Sequence, residues 1–226
     1  MFNYDKSNQY YYSTTINDGH FLSGFSTRKT VMDHVFDNKF QICKIKQIHS
    51  DNIVDIDKSN YKLRGDGIIT SKKNIVLAIN TADCVPIIYV DKKKRIIAVS
   101  HQGWQGTLKR FPRKMILHFL KLKSKISDLR VAIGPAIGEC CYDVYRDRYM
   151  LFKNEFKDHE FTPPVKNKYY INLTLLNYLT LRGSGLAKNQ IDFFPFCTSC
   201  HEKQFVSYRR DGAPLKYQMT NFVSQL

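Results

Sequence analysis

Hydrophobic patterning sharpens from Ile75 onward. Ile75-Val76-Leu77-Ala78-Ile79, Val85-Pro86-Ile87-Ile88-Tyr89-Val90 and Arg95-Ile96-Ile97-Ala98-Val99-Ser100 are short, β-branched and nearly all apolar. Runs of that length fit strands buried on both faces. Lys92-Lys93-Lys94-Arg95 divides the second run from the third and reads as the solvated tip of a hairpin. The period then changes. Leu108, Phe111, Met115, Phe119 and Leu122 recur every three or four positions, which predicts an amphipathic helix over 106–123. Leu129–Ile133 predicts another buried strand, ending at Gly134-Pro135. The Leu-rich segment 174–182 predicts a helix capped by Asn172 or Thr174 and closed by Gly183 and Gly185. Ile191–Phe194 and Gln204–Tyr208 predict further strands, 215–225 a last helix, and residues 1–45 give only weak strand signals. Strands and helices interleave without strict βαβ order, repeat or linker. The expected architecture is therefore α+β: one domain over 1–226, with mixed β-sheets layered with helices.

Composition narrows the class. Of 226 residues, 43% are hydrophobic and 13% aromatic, enough for a substantial core and too much for a disordered basic tail. Lys and Arg outnumber Asp and Glu by 35 to 20, a net charge of +15. Those cations are scattered in short groups, and no zinc-finger spacing, RNP-like aromatic strand or bZIP pattern accompanies them. Nucleic-acid binding is therefore not expected despite the charge. No window approaches 18 consecutive apolar residues, so no membrane span is expected. Met1-Phe2-Asn3-Tyr4-Asp5-Lys6 shows no secretory pattern, which makes a cytoplasmic protein with six free thiols the expectation.

Chemistry-bearing residues fall at the ends of the apolar runs. His49 follows Lys46-Gln47-Ile48, Asp83-Cys84 interrupts two runs, and His101 follows Ser100 directly. Side chains at strand ends converge on a common rim. Two imidazoles and a thiolate suit zinc, leaving its fourth tetrahedral position open. The spacings match no short-range finger, so the fold must assemble the set, and a buried thiol beside two hydrogen-bonded histidines stays open as the alternative. Gln102-Gly103-Trp104-Gln105-Gly106 reads either as close backbone approach to a ligand at a helix start or as a tight turn whose Trp packs on the core.

Two further clusters follow. Ile133–Tyr142 is a glycine-rich turn carrying Cys140-Cys141, and Cys197-Thr198-Ser199-Cys200-His201 precedes Ser207-Tyr208-Arg209-Arg210-Asp211-Gly212. Cys-x-x-Cys-His is the spacing of c-type haem attachment, which requires export; a structural zinc there needs two more ligands nearby. Arg209 and Arg210 suit phosphate, which guanidinium groups bind in bidentate fashion. Phosphate-binding P-loops and a complete Gly-x-Gly-x-x-Gly are absent, and the nucleobase-deaminase pattern fails because Gln102-Gly103 follows His101 and Phe196 precedes Cys197.

Six motifs in order carry a resemblance: Gln47-Ile48-His49, Gly65–Thr70, Thr81-Ala82-Asp83-Cys84-Val85-Pro86, His101–Gly106, Ile133–Tyr142, and Cys197–Cys200 with Ser207–Gly212. The series, over about residues 20–224, closely resembles the laccase-domain family, long labelled polyphenol oxidases or peptidoglycan-editing factors and regarded as purine nucleoside phosphorylases with accompanying adenosine deaminase activity. The resemblance implies that His49, Cys84 and His101 ligate zinc. It also implies phosphate-dependent cleavage of adenosine, inosine, guanosine and S-methyl-5'-thioadenosine, with purine nucleosides and inorganic phosphate as partners. Asp83, beside Cys84, is expected to orient a zinc-bound histidine or shuttle a proton. Gln47, Arg28, Arg209 and Arg210 are expected to bind substrate or phosphate. The resemblance extends to a fold like that of Cys-His deamidating toxins, in which Cys84 and His101 would instead form a thiol hydrolase for amide or peptidoglycan-precursor substrates. Copper oxidation is not expected, because the seven histidines include no His-x-His pair. Departures from the family pattern are Gln105 in place of an arginine, with Lys109 as a nearby substitute, a shortened segment Lys29-Thr30-Val31-Met32, and Ser50 in place of glycine.

Overall fold

The computed structural model describes residues 1–36, 40–58 and 63–226. In chain order the strands are β1 (Phe2–Asp5), β2 (Tyr10–Ser13), β3 (Phe21–Ser26), β4 (Gln41–Lys44), β5 (Ile53–Asp55), β6 (Gly67–Thr70), β7 (Ile75–Thr81), β8 (Val85–Asp91), β9 (Ile96–Gln102), β10 (Leu129–Ile133), β11 (Asp143–Val144), β12 (Tyr169–Tyr170), β13 (Ile191–Phe193) and β14 (Met219–Gln225). The α-helices are α1 (Met32–Val35), α2 (Trp104–Leu108), α3 (Phe111–Lys121), α4 (Arg146–Glu155), α5 (Leu173–Gly183) and α6 (Tyr208–Asp211). Among the described residues two mixed six-stranded sheets form, ordered β1-β2-β3-β14-β7-β4 and β13-β10-β8-β9-β6-β5, with β11 and β12 as a separate pair.

Alternation along β8 explains the layering. Val85, Ile87 and Tyr89 join Phe111, Met115, Phe119 and Leu176 in a core beneath the helices. Ile88 and Val90 point the other way and meet Phe25, Leu77 and Ile79 of the first sheet. Each central strand thus buries both faces, as its near-continuous apolarity requires. The β8–β9 hairpin pairs Asp91 with Ile96, so the lysine run is indeed its turn. Asp91 closes that turn by accepting the N–H groups of Lys93 and Lys94 at 2.9 and 2.8 Å.

Three expected elements differ. The helix expected over 106–123 is two helices, α2 and α3: Arg110 takes a left-handed φ of 52° and Pro112 sits in the first turn of α3, where its missing N–H costs nothing. The strand expected at Gln204–Tyr208 is replaced by a turn and by α6, which Ser207 caps by accepting the Arg210 N–H at 3.2 Å. The helix expected over 215–225 is β14, a central strand. Its polar residues imitate a helical face, yet they are buried and paired across the sheet: Asn221 donates to Thr81 Oγ1 at 2.9 Å and Thr220 to Asn80 Oδ1 at 3.1 Å. Residues 1–36 carry three full strands where only weak signals were expected, because their aromatic side chains interlock, Phe2 with Phe25 and Phe194 among them.

Candidate active site and metal centre

The chain changes sheets between β7 and β8, and Ala82-Asp83-Cys84 is the crossing. Asp83 has a φ of 87°, a left-handed conformation that turns the chain sharply enough to present Cys84 at the rim. His101 stands near the end of β9, opposite Pro86 of β8. His49 arrives from a loop wound around Asp66. The N–H groups of Ile48, His49 and Ser50 reach the Asp66 carboxylate at 3.3, 3.1 and 2.6 Å, and the Ser50 hydroxyl donates to it at 2.7 Å. His49 takes φ 56° within that turn. Asp66 also fixes His101 twice, accepting its backbone N–H at 2.7 Å and meeting Nδ1 at 2.8 Å.

The ligand atoms of His49, Cys84 and His101 all lie within 4.8 Å of one another. The two imidazole rings meet edge to face, with centroids 4.9 Å apart. Gly103 keeps the space between them open: a Cβ there would stand 3.1 Å from His49 Cδ2 and 3.4 Å from Cys84 Sγ. The donor set therefore fits a tetrahedral N/S-liganded ion with one position left over, and Asp66 supplies the carboxylate that steers such a histidine.

The same contacts shift the titration of each group. Burial pushes the Cys84 thiol up, but hydrogen bonds from His101 and His49 bring it down to about 7. Burial disfavours the His101 imidazolium, yet Asp66 and Cys84 raise it to about 9. His49 is raised by its bond to Cys84 against the opposing effect of burial. Asp66 is fully buried, which alone would raise it, and the bonds from His101 and Ser50 hold it below the usual carboxylate range.

A cavity of about 710 Å³ opens onto this cluster. Ile137, Tyr142, Tyr208 and Leu215 give it apolar and aromatic walls, and Gln47, Asn80 and Asp83 polar ones. Arg209 is the one arginine or lysine in the lining among the described residues. Its Nη1 is anchored by the Cys141 carbonyl at 3.0 Å and by Asp143 Oδ1 at 2.7 Å.

The expected site residues divide accordingly. His49, Cys84, His101, Asp83, Gln47 and Arg209 come together on the cavity. Arg28 and Arg210 do not. Arg210 binds both oxygens of Asp211 and the carbonyls of Thr198, Ser199 and Phe205, and Arg28 binds Asp211 and Phe205. Their guanidinium groups hold the 198–211 loop together and are absent from the cavity lining. Gln47 lines the cavity while forming a reciprocal pair with the Asn80 backbone, both bonds 2.8 Å. Asp83 gives its carboxylate to Thr198 Oγ1 at 2.6 Å, Ser207 Oγ at 3.0 Å and the Arg209 N–H at 2.7 Å. The carboxylate that orients a histidine is Asp66. Its signal was available in Gly65-Asp66-Gly67: a charged residue entering a buried strand requires a partner. Gln105 is exposed and outside the lining, and Lys109 is paired with Asp51 at 3.2 Å. Trp104 packs on the helix-side core with Arg148 4.4 Å above its ring, as the turn reading expects, while Gly103 brings the backbone close to the donor cluster, as the other reading expects.

Two mixed sheets, a helical layer and a His-Cys-His cluster on a cavity wall define the class of domain. The chain belongs to the family described as multi-copper polyphenol oxidoreductase laccase, whose model matches residues 26–221. It is 39% identical over 150 residues to purine nucleoside phosphorylase YlmD of Bacillus subtilis, covering 65% of this chain and 54% of that protein. It is 34% identical over 170 residues to a purine nucleoside phosphorylase of Clostridium acetobutylicum, covering 74% and 70% respectively. A third relative, adenosine deaminase RL5 from an unknown prokaryotic organism, is 32% identical over 163 residues, covering 70% of this chain and 62% of that one. The chain thus matches between 54% and 70% of these relatives' length. The crystal structure of YlmD from Geobacillus stearothermophilus superimposes with a TM-score of 0.85 at 22% identity, covering 99% of this chain and 98% of that one. No helix among the described residues is long and apolar enough to cross a membrane.

Proposed function

We propose that the protein is a zinc-dependent purine nucleoside phosphorylase that also deaminates adenosine. The observation that carries this reading is the His49–Cys84–His101 donor set facing a cavity whose lining holds one guanidinium group. The names of the relatives supply the reaction class. Zinc held by these three side chains would supply Lewis acidity at its open fourth position.

The chain's own groups take the remaining roles. Arg209 attracts inorganic phosphate, and Tyr142 and Ile137 pack against the purine. In phosphorolysis of inosine, a phosphate oxygen forms the bond to the anomeric carbon as the bond to the purine nitrogen breaks. The base leaves with that electron pair and takes up a proton, giving hypoxanthine and ribose 1-phosphate. Electrostatic stabilisation of the cationic sugar falls to the phosphate that Arg209 holds. Asp83 is a positioning residue, tying the Cys84 turn to the loop that carries Arg209. Adenosine, guanosine and S-methyl-5'-thioadenosine share the groups used here. A reaction confined to nucleosides and phosphate fits a cytoplasmic enzyme.

Purified metal-replete protein should release base from inosine only when phosphate is present, and Cys84→Ala should abolish release. Arg209→Ala should raise the KM for phosphate about tenfold or more with metal content unchanged, while Arg28→Ala should leave that KM alone. Absence of turnover in zinc-loaded protein, with and without phosphate, refutes the reading.

One observation favours a second reading. Cys84, His101 and Asp66 are chained as thiol, imidazole and carboxylate, the order of a cysteine nucleophile with its base and orienting acid. That reading, with its deamidating-toxin-like fold, makes Cys84 a thiol hydrolase nucleophile. It requires iodoacetamide to inactivate untreated protein, whereas a metal ligand is alkylated only after chelation.

A further inference from the structure

We propose a second metal centre, remote in chemistry from the first: a structural zinc held by Cys140, Cys141, Cys197 and Cys200. The Cys-x-x-Cys pair at 197 and 200 lacks two ligands in its own segment, and the fold delivers them from a turn some sixty residues earlier in the chain.

Parallel pairing brings the turns together. β10 pairs with β13, and the chain leaving each strand stays beside the other through the Ala136–Cys197 bridge and the Thr198 N–H bond to the Ala136 carbonyl, 3.0 Å. Both segments then fold back. The Cys141 N–H closes one turn on the Gly138 carbonyl at 3.0 Å, and the His201 N–H closes the other on the Cys197 carbonyl at 3.2 Å. Four sulfurs consequently lie within 4.8 Å of one another. Cys200 Sγ is 3.6 Å from Cys140 Sγ and 3.4 Å from Cys141 Sγ. A zinc–sulfur bond of about 2.3 Å gives a tetrahedron whose edges are about 3.8 Å, close to these separations. A disulfide would bring two sulfurs to about 2.05 Å, and all four cysteines are free thiols.

Two features beyond the sulfurs point to an ion. Gly138 borders the cluster, where a Cβ would stand 3.0 Å from Cys197 Cβ and 3.2 Å from Cys140 Sγ, so the glycine keeps the ligand sphere clear. Its N–H donates to Cys197 Sγ at 3.1 Å, the kind of outer hydrogen bond that settles a thiolate ligand. Both turns are also tied down by guanidinium groups: Arg209 bonds the Cys141 carbonyl at 3.0 Å and Arg210 the Ser199 carbonyl at 2.9 Å. Four sulfurs with no open position suit a structural zinc with no catalytic role. The centre works as a clasp. It locks the turn bearing Ile137 and Tyr142 to the loop bearing Arg209, and so fixes one wall of the cavity.

The test is metal analysis with cobalt substitution on the full chain prepared under reducing conditions. Wild-type protein should hold about two zinc ions per chain, Cys84→Ala about one, and the double variant Cys140→Ser/Cys200→Ser about one. Because both exposed cysteines could be needed for folding, the spectroscopic arm uses Cys84→Ala alone. Cobalt loaded into that variant should give the intense thiolate charge-transfer and visible bands of a four-sulfur tetrahedral ion. Lack of those bands, or zinc content unchanged by the double substitution, overturns the proposal. The Cys84→Ala arm keeps this result separate from the fate of the His49–Cys84–His101 centre.

Discussion

Asp66 stays ionised without solvent because five donors converge on it: three backbone N–H groups, the Ser50 hydroxyl and the His101 ring. The same carboxylate therefore shapes the His49 loop and sets the His101 ring orientation. Asp66→Asn should weaken zinc binding about 10–100-fold, measured by chelator competition, while the far-ultraviolet circular dichroism stays unchanged. A pH effect follows from the same group. Its folded carboxyl titrates below the unfolded value of 3.8, so its stabilisation is present above that value and drains as pH falls through the lower folded one. The melting temperature of metal-free wild-type protein should fall more steeply below about pH 4 than that of Asp66→Asn. At this scale the sequence was readable where a residue type limits its own chemistry: His49, Cys84 and His101 do cluster. Arg210 was misread because a guanidinium group suits a carboxylate and three carbonyls as well as it suits phosphate, and only the loop geometry decides between them.

Among the elements, the sheet-to-sheet packing depends on positions where no side chain fits. Gly134 ends β10 directly over Phe25, whose ring atom Cδ1 would stand 2.1 Å from an added Cβ. Gly134→Ala should destabilise the fold by about 1–3 kcal/mol in urea unfolding, and adding Phe25→Leu should recover part of the loss. The central strands β7 to β10 were legible because each buries both faces and is written as an unbroken apolar run. β14 is just as buried and was not, since its Thr, Asn, Ser and Gln satisfy one another across strands. Only the partner strand turns that polar spacing into sheet. The break between α2 and α3 hid for a related reason: Arg110 in a left-handed conformation leaves the three-to-four spacing of apolar residues intact on both sides.

For the whole molecule, the net charge of +15 is spread over the surface, and little of it lies near the donor cluster. Lys92 pairs with Asp18, Lys109 and Lys114 with Asp51, Arg110 with Glu155, and Arg28 and Arg210 with Asp211. Among the described residues one guanidinium group, Arg209, reaches the cavity wall, itself paired with Asp143 at 2.7 Å. Its place beside the donor cluster suits a single small anion. Phosphorus-31 NMR of zinc-loaded protein with inosine and inorganic phosphate tests this directly. The account predicts that the inorganic phosphate signal declines as a ribose 1-phosphate signal grows, in step with hypoxanthine, and that Cys84→Ala leaves the spectrum static. An inorganic phosphate signal that never changes while the zinc site is full would contradict it.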